Sequence, residues 1–392
     1  MKSNQKLLFL SSEVLFNFIR SATFIFVSVK AIIDTDYFYF LAILGAVESL
    51  FLFLGPILAI YFVEKLGAKL TLNIFIIISI FFPAMFILLS FYNVNPIYLC
   101  FSLSVLLSII SPQIKNAIFC LTPHLNDKKN STKSNASFNV VLQLGYLGGV
   151  LLAPIMVNYI SDITFIALFM LIHMIILAVI ILALKDINVE KLALTSGGNK
   201  LVNFINSIKT LPIMALVISS MDITIIIMFN TAIVIMVNDL FLGKAIWLSG
   251  LEVLFAISSL CISLLISNAK ISLNKYIYIL SPIFFILMLI FALLDNYILV
   301  ILCCMLFAMF QACSNILWKS YIHNQINEGL WSRANIIKGG ISTIVAIPVM
   351  YFIAKMTDTK GMLLIILANA LFFLTISLVY IGYNRYRAGK SQ

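Results

Sequence analysis

The sequence predicts an all-α polytopic membrane protein with twelve transmembrane helices in two pseudo-symmetric six-helix bundles. Three observations predict it. Hydrophobic residues make up 62% of the chain and charged residues 10%, whereas a soluble domain holds about 45–50% and 25%. A spanning helix with its loop takes roughly 30 residues, so 392 residues accommodate about twelve and little else. The basic residues gather on alternate loops. The first observation excludes soluble enzymes, nucleic-acid-binding modules and secreted disulfide scaffolds, because a water-facing surface needs polar cover. The net charge of +10 therefore reads as topology rather than nucleic-acid binding.

The apolar runs place spans at 7–29, 36–63, 70–92, 96–121, 136–160, 163–184, 211–237, 245–267, 276–293, 297–321, 333–354 and 361–383. None alternates polar and apolar residues with the period of two that a β-barrel requires. The N-terminal run from Leu7 follows Lys2 and Lys6 as in a signal peptide. Glu13, Asn17 and Arg20 interrupt it and no small-residue cleavage site ends it, so it reads as a retained span. No GxxxxGK[ST] loop suggests ATP use. The six cysteines lie in apolar runs without CxxC or histidine spacing, and no metal site is expected.

Orientation follows from Lys and Arg. With the N-terminus in the cytoplasm, 17 of the 25 fall on cytoplasmic segments, four on the opposite side and four inside spans. That asymmetry fits an even number of spans with both termini inside. The one long polar stretch, 185–210, divides the chain into an N-terminal bundle (1–184), a cytoplasmic linker, and a C-terminal bundle with a short basic tail (211–392). Glu48 and Glu252 are separated by 204 positions, and so are Lys115 and Lys319. Parallel six-helix repeats are an established transporter plan, with the site between the halves.

Three segments carry a family resemblance. The loop Glu64-Lys65-Leu66-Gly67-Ala68-Lys69 is similar to the G-x-x-x-D-R/K-x-G-x-R/K loop of the major facilitator superfamily, with Ile60 for the first Gly, Glu64 for Asp and Lys69 for Arg. Gly145, Gly148, Gly149, Ala153 and Pro154 resemble the Gly-Pro motif of its antiporters, with Ala153 for the usual Gly. Ser111-Pro112 through Leu121, followed by Asn135-Ala136-Ser137, resembles the macrolide- and siderophore-exporter branch. The resemblance implies the major facilitator fold, a gating role for Glu64, Lys65, Gly67 and Lys69, and a leak-proof seam at span 5. The residues also have a plain physical reading. Gly67 permits a tight turn, the lysines signal topology, and Gly145, Gly149 and Ala153 make a flat face for close helix packing. Pro154 bends that helix.

The ionisable residues inside spans are Glu13, Arg20, Glu48, Lys115, Asp222, Glu252, Lys319 and Lys338. Each costs about 2.5–3.5 kcal/mol at mid-span, so together they mark a pathway. Arg20, Glu48 and Asp222 lie about 16–20 Å into their spans at 1.5 Å per residue. Glu13, Asn17 and Arg20 form one stripe on span 1, which the family resemblance sets on the central cavity facing Asp222. The coupling acid is expected to be Glu48 or Asp222, with Glu13 third; the alternative is a permanent Asp222–Arg20 or Glu48–Arg20 ion pair. Lys115, Lys319 and Lys338 lie toward the cytoplasmic ends, as gate residues or as lysines that snorkel. Gln143, Asn230, Gln311 and Asn315 are candidates for cargo contact or for helix–helix hydrogen bonds. Trp318 is a candidate for an apolar cargo wall.

These readings point to a secondary transporter of the inner (plasma) membrane. It would work as a monomer without cofactor, exporting a drug-like, siderophore-like or small-peptide cargo against inward protons. The alternative within the fold is a proton-coupled uptake permease. The alternative from another class is a non-transporting receptor or lipid-modifying enzyme.

Overall fold

The structure is a computed structural model of the 392-residue chain. It describes residues 3–33, 51, 54–55, 57–125, 131–185, 214–219, 221–222, 245–267, 271–292, 297–327, 330–335, 337–338, 367–368 and 371–383. Glu48, Asn230, the expected linker beyond Lys185 and most of span 11 lie outside these residues. Six of the described helices are long and apolar enough to cross a bilayer, and the chain is a multi-pass membrane protein. It divides into two compact units. One is Met1–Thr195 with Asn327–Ile336; the other is Ser196–Ile326 with Ile337–Gln392.

The first unit holds α1 (Ser3–Ile33), α2 (57–66), α3 (Ala68–Ser90), α4 (Pro96–Leu121), α5 (Ser131–Tyr159) and α6 (Asp162–Ala183). Their ends follow local chemistry. Asn95 caps α4, its side chain accepting from the Ile97 amide at 3.1 Å, with Pro96 at the first helical position. Ser161 caps α6 and Asp162 occupies its first turn, where the helix dipole favours an acid. Between α2 and α3 the chain turns on Gly67 alone, at φ +84°. There Gly67 N donates to Val63 O at 2.9 Å, and its own carbonyl accepts from Thr71 N at 3.0 Å.

The core of this unit lies where α1 packs against α5 and α6. Phe26 and Phe165 stack with centroids 4.0 Å apart. Lys30, in the last turn of α1, pairs with Asp162 at 3.1 Å and ties those two helix ends. His173 is fully buried against Phe16 and Phe169. Its Nδ1 is 2.9 Å from the Phe169 carbonyl, which makes it a helix-packing residue.

The second unit holds α7 (214–219), α8 (Ala245–Ile266), α9 (Leu273–Ala292), α10 (Tyr297–Gln325) and α12 (Leu371–Tyr383). The short α11 (331–335) belongs to the first unit. Phe284 of α9 meets Phe307, Phe310 and Phe373 edge-on at 5.1–5.7 Å. Tyr276 donates its hydroxyl to Phe310 O at 2.9 Å, and Tyr380 to Asn274 Oδ1 at 2.7 Å.

The described helices follow the expected spans within a few residues, and α1 runs over 3–33 rather than 7–29. α5 begins at Ser131 rather than 136, and α10 runs to Gln325 rather than 321. Hydropathy marks where oil ends, whereas backbone hydrogen bonding continues through the polar turns beyond it.

Candidate functional site

Among the described residues of the second unit, Asp222 and Lys338 form a charge pair in its interior. Asp222 and Lys338 are each 7% exposed, and Lys338 Nζ lies 2.6 Å from Asp222 Oδ2. The same ammonium donates to Asn315 Oδ1. Ser314 Oγ is 3.2 Å from Asp222 Oδ1 and within 2.9 Å of Gln311 O. Ser219 donates to the Lys338 carbonyl at 2.8 Å. Gln311, Ser314, Asn315 and Trp318 fall at i, i+3, i+4 and i+7, one face of α10. Trp318 is buried. A charge taken from water must be paired and hydrogen-bonded to be tolerated, and this arrangement meets both conditions.

Three residues assigned separately from the sequence thus meet here: Asp222 as an acid, Lys338 as a gate or snorkelling lysine, and Asn315 as a polar contact. The placement of Lys338 favours a paired lysine over one that snorkels. Its ammonium turns inward to the acid, because a carboxylate within reach compensates desolvation better than a long stretch toward water. The sequence offered an Asp222–Arg20 or Glu48–Arg20 pair as an alternative; in the structure Lys338 lies against Asp222. Ser314 and Ser219 went unnoticed, since a serine in a span usually bonds its own helix. Glu252 is half-buried on α8, and Lys319 is half-buried on α10.

In the first unit, Glu13 and Asn17 are buried and Arg20 is half-buried on α1. Asn17 lies at the seam with α5. Its Nδ2 donates to Glu13 O at 2.8 Å, and its Cβ lies 3.1 Å from where a Cβ on Gly145 would stand. A Cβ at Gly149 would fall 2.0 Å from Ser21 Oγ and 2.4 Å from Phe18 O. Ser21 donates across the seam to Tyr146 O at 3.1 Å. Ala153 is buried and Pro154 and Gln143 are half-buried on the same helix. One further close approach escaped the sequence reading: Gly55 meets Pro112 of α4, and Gln113 Nε2 donates to the Gly55 carbonyl at 3.1 Å.

The loop after α2 is organised around charges. Arg333 forms a two-pronged pair with Glu64, Nε to Oε1 and Nη2 to Oε2, the latter at 2.8 Å. Beside it, Asn116 donates to Ser332 Oγ at 2.7 Å, and the His124 ring lies 6.3 Å from Trp331. Lys69 donates to Leu184 O at 2.6 Å, capping the C-terminal end of α6 where the dipole favours a cation. Lys65 is exposed and bonds the Tyr61 hydroxyl at 2.8 Å, which raises its pKa above the ordinary lysine value. Lys115 is exposed on α4.

Solved structures resolve what this architecture is. A bacterial homologue of the iron transporter ferroportin, in its outward-facing state, superposes with a TM-score of 0.71 at 13% identity, over 96% of this chain and 99% of that one. The major facilitator superfamily transporter FucP in the outward conformation gives 0.68 at 14% identity, over 96% and 97%. The human organic anion transporter MFSD10 gives 0.65 at 10% identity, over 96% and 99%. The chain has the major facilitator fold. No family model matches its sequence, and no curated protein matches it. Among the described residues no group of His, Cys, Asp and Glu is disposed to hold a metal ion.

Proposed function

We propose that this protein is a secondary active transporter that works by alternating access, exporting a drug-like, siderophore-like or small-peptide compound in exchange for inward protons. The observation that carries the reading is the buried Asp222–Lys338 pair with its Asn315 and Ser314 contacts. Protonating Asp222 removes the charge that holds Lys338, so proton and cation compete for one carboxylate. The solved structures that share this fold are of transporters.

The gate is assigned to the Glu64–Arg333 pair. Residues 327–336 belong to the first unit, while Ile326 and Ile337 on either side belong to the second. The grip of Glu64, Asn116 and His124 on this segment therefore acts where the chain passes between units. Export rather than uptake rests on the tight Gly145/Gly149 seam, similar to that of the antiporters. The protein is placed in the inner membrane as a monomer, with both termini cytoplasmic, an N-terminal bundle (1–184), a linker (185–210) and a C-terminal bundle (211–392).

Uptake by proton symport is the second reading, favoured by one of the structures of this fold, the E. coli fucose:proton symporter, at TM-score 0.66 and 14% identity over 96% of this chain and 97% of that one. Proteoliposomes with an imposed pH gradient separate the two. An exporter's cargo dissipates the gradient only in the antiport sense, and Asp222→Asn abolishes that dissipation while the protein still inserts. Full coupling in Asp222→Asn would remove Asp222 from the mechanism.

A further inference from the structure

We propose that Asp222, Asn315 and Ser314 form a binding site for a primary ammonium group of the cargo, and that Lys338 is the tethered occupant it displaces. The inference rests on the transporter reading and names the cargo chemistry of its site.

The site is defined by its present occupant. The Lys338 ammonium satisfies two acceptors at once, Asp222 Oδ2 at 2.6 Å and Asn315 Oδ1. The buried Ser314 hydroxyl lies 3.2 Å from Asp222 Oδ1 and shares its one proton between that oxygen and the Gln311 carbonyl at 2.9 Å. An ammonium has three N–H donors on one centre, which fits this pair of oxygens. A proton on Asp222 neutralises the acid but leaves the Asn315 oxygen without its donor, a cost when buried. A quaternary ammonium has no N–H to offer either oxygen. The cage therefore selects –NH3+ over a proton alone and over alkylated amines.

The tether gives the occupant a reason to leave. Lys338 stands two residues past Ile336, where the chain leaves the first unit. Segment 327–336 is held by Glu64 and Asn116 of that unit. Ser219 bonds the Lys338 backbone at its carbonyl at 2.8 Å, so a shift of that backbone carries the ammonium with it. Withdrawing Lys338 empties the cage for an external ammonium of the same chemistry.

The test is chemical rescue of the purified full chain. Lys338→Ala and Lys338→Ser are melted in detergent with n-propylammonium chloride, tetramethylammonium chloride or sodium chloride at equal ionic strength. Propylammonium is expected to raise the melting temperature of either variant by about 2 °C at about ten times its dissociation constant. The rise saturates, is absent in the parent, and disappears when Asp222→Asn is added. An equal rise with tetramethylammonium or sodium overturns the ammonium assignment. For a variant that does not survive solubilisation alone, monodisperse recovery in propylammonium but not in tetramethylammonium is the expected result, and failure in both overturns the proposal. Because the readout is melting, its failure leaves the transport reading standing. Loss of that reading would show instead as absent gradient coupling with the amine response intact.

Discussion

The Asp222 carboxylate and the Lys338 ammonium lie 2.6 Å apart, in a unit where each residue is only 7% exposed. The two residues are 116 positions apart along the chain, on spans 7 and 11 of the sequence. Each would be unstable in its place without the other.

Breaking the pair from one side is expected to be costly and removing both charges cheap. Asp222→Asn or Lys338→Met should each lose about 3–5 kcal/mol, since either leaves a buried charge uncompensated, whereas the double variant should recover most of that loss. A double-mutant cycle in melting free energy checks this. Simply additive losses would mean that the two groups do not support each other.

The seam between α1 and α5 should tolerate no side chain at Gly149. A Cβ there would meet Ser21 Oγ at 2.0 Å and the Phe18 carbonyl at 2.4 Å. Ser21→Ala relieves only the first clash, because the second is with backbone. Gly149→Ala is expected to cost upward of about 1–3 kcal/mol, the range for an overpacked core. Gly148→Ala, whose Cβ would stand 3.3 Å from the Phe18 ring edge, should cost clearly less. Melting temperatures of the two variants, measured side by side, test the ordering.

Gly67 presents the opposite case. Nothing lies within 4 Å of a Cβ built there, yet the backbone sits at φ +84°. With ψ at +155° this is a region essentially reserved for glycine, so Gly67→Ala and Gly67→Asn should each lose about 1–3 kcal/mol from conformation alone. A Gly67→Asn variant that melts with the parent would show that the backbone moves out of this conformation at little cost.

The Glu64–Arg333 pair is partly wet, its side chains 15% and 24% exposed. Solvent screening should hold its coupling energy to about 1 kcal/mol, with a decline as NaCl is raised. Arg333→Lys removes the second prong and should lose most of that coupling. A salt-insensitive coupling of several kcal/mol would show the pair to be dry.

The sequence alone settled the solvent of this protein and the layout of its helices. Apolar runs of membrane length, one-sided lysines and the glycine at the turn after α2 are local signals. Oil must be matched by oil, backbone polar groups must be closed within a helix, and φ +84° calls for glycine. The seam was legible for the same reason, since glycines four apart can only make a flat face. Which charges meet was not legible. Helical spacing says which face a residue shares, as with Ser314 and Asn315, but not which helix stands opposite. The partner of Asp222 became Lys338, and that of Glu64 became Arg333, 269 positions away. Only the packing of distant helices decides such pairs, because a buried charge takes whichever opposite charge the fold brings within hydrogen-bonding distance.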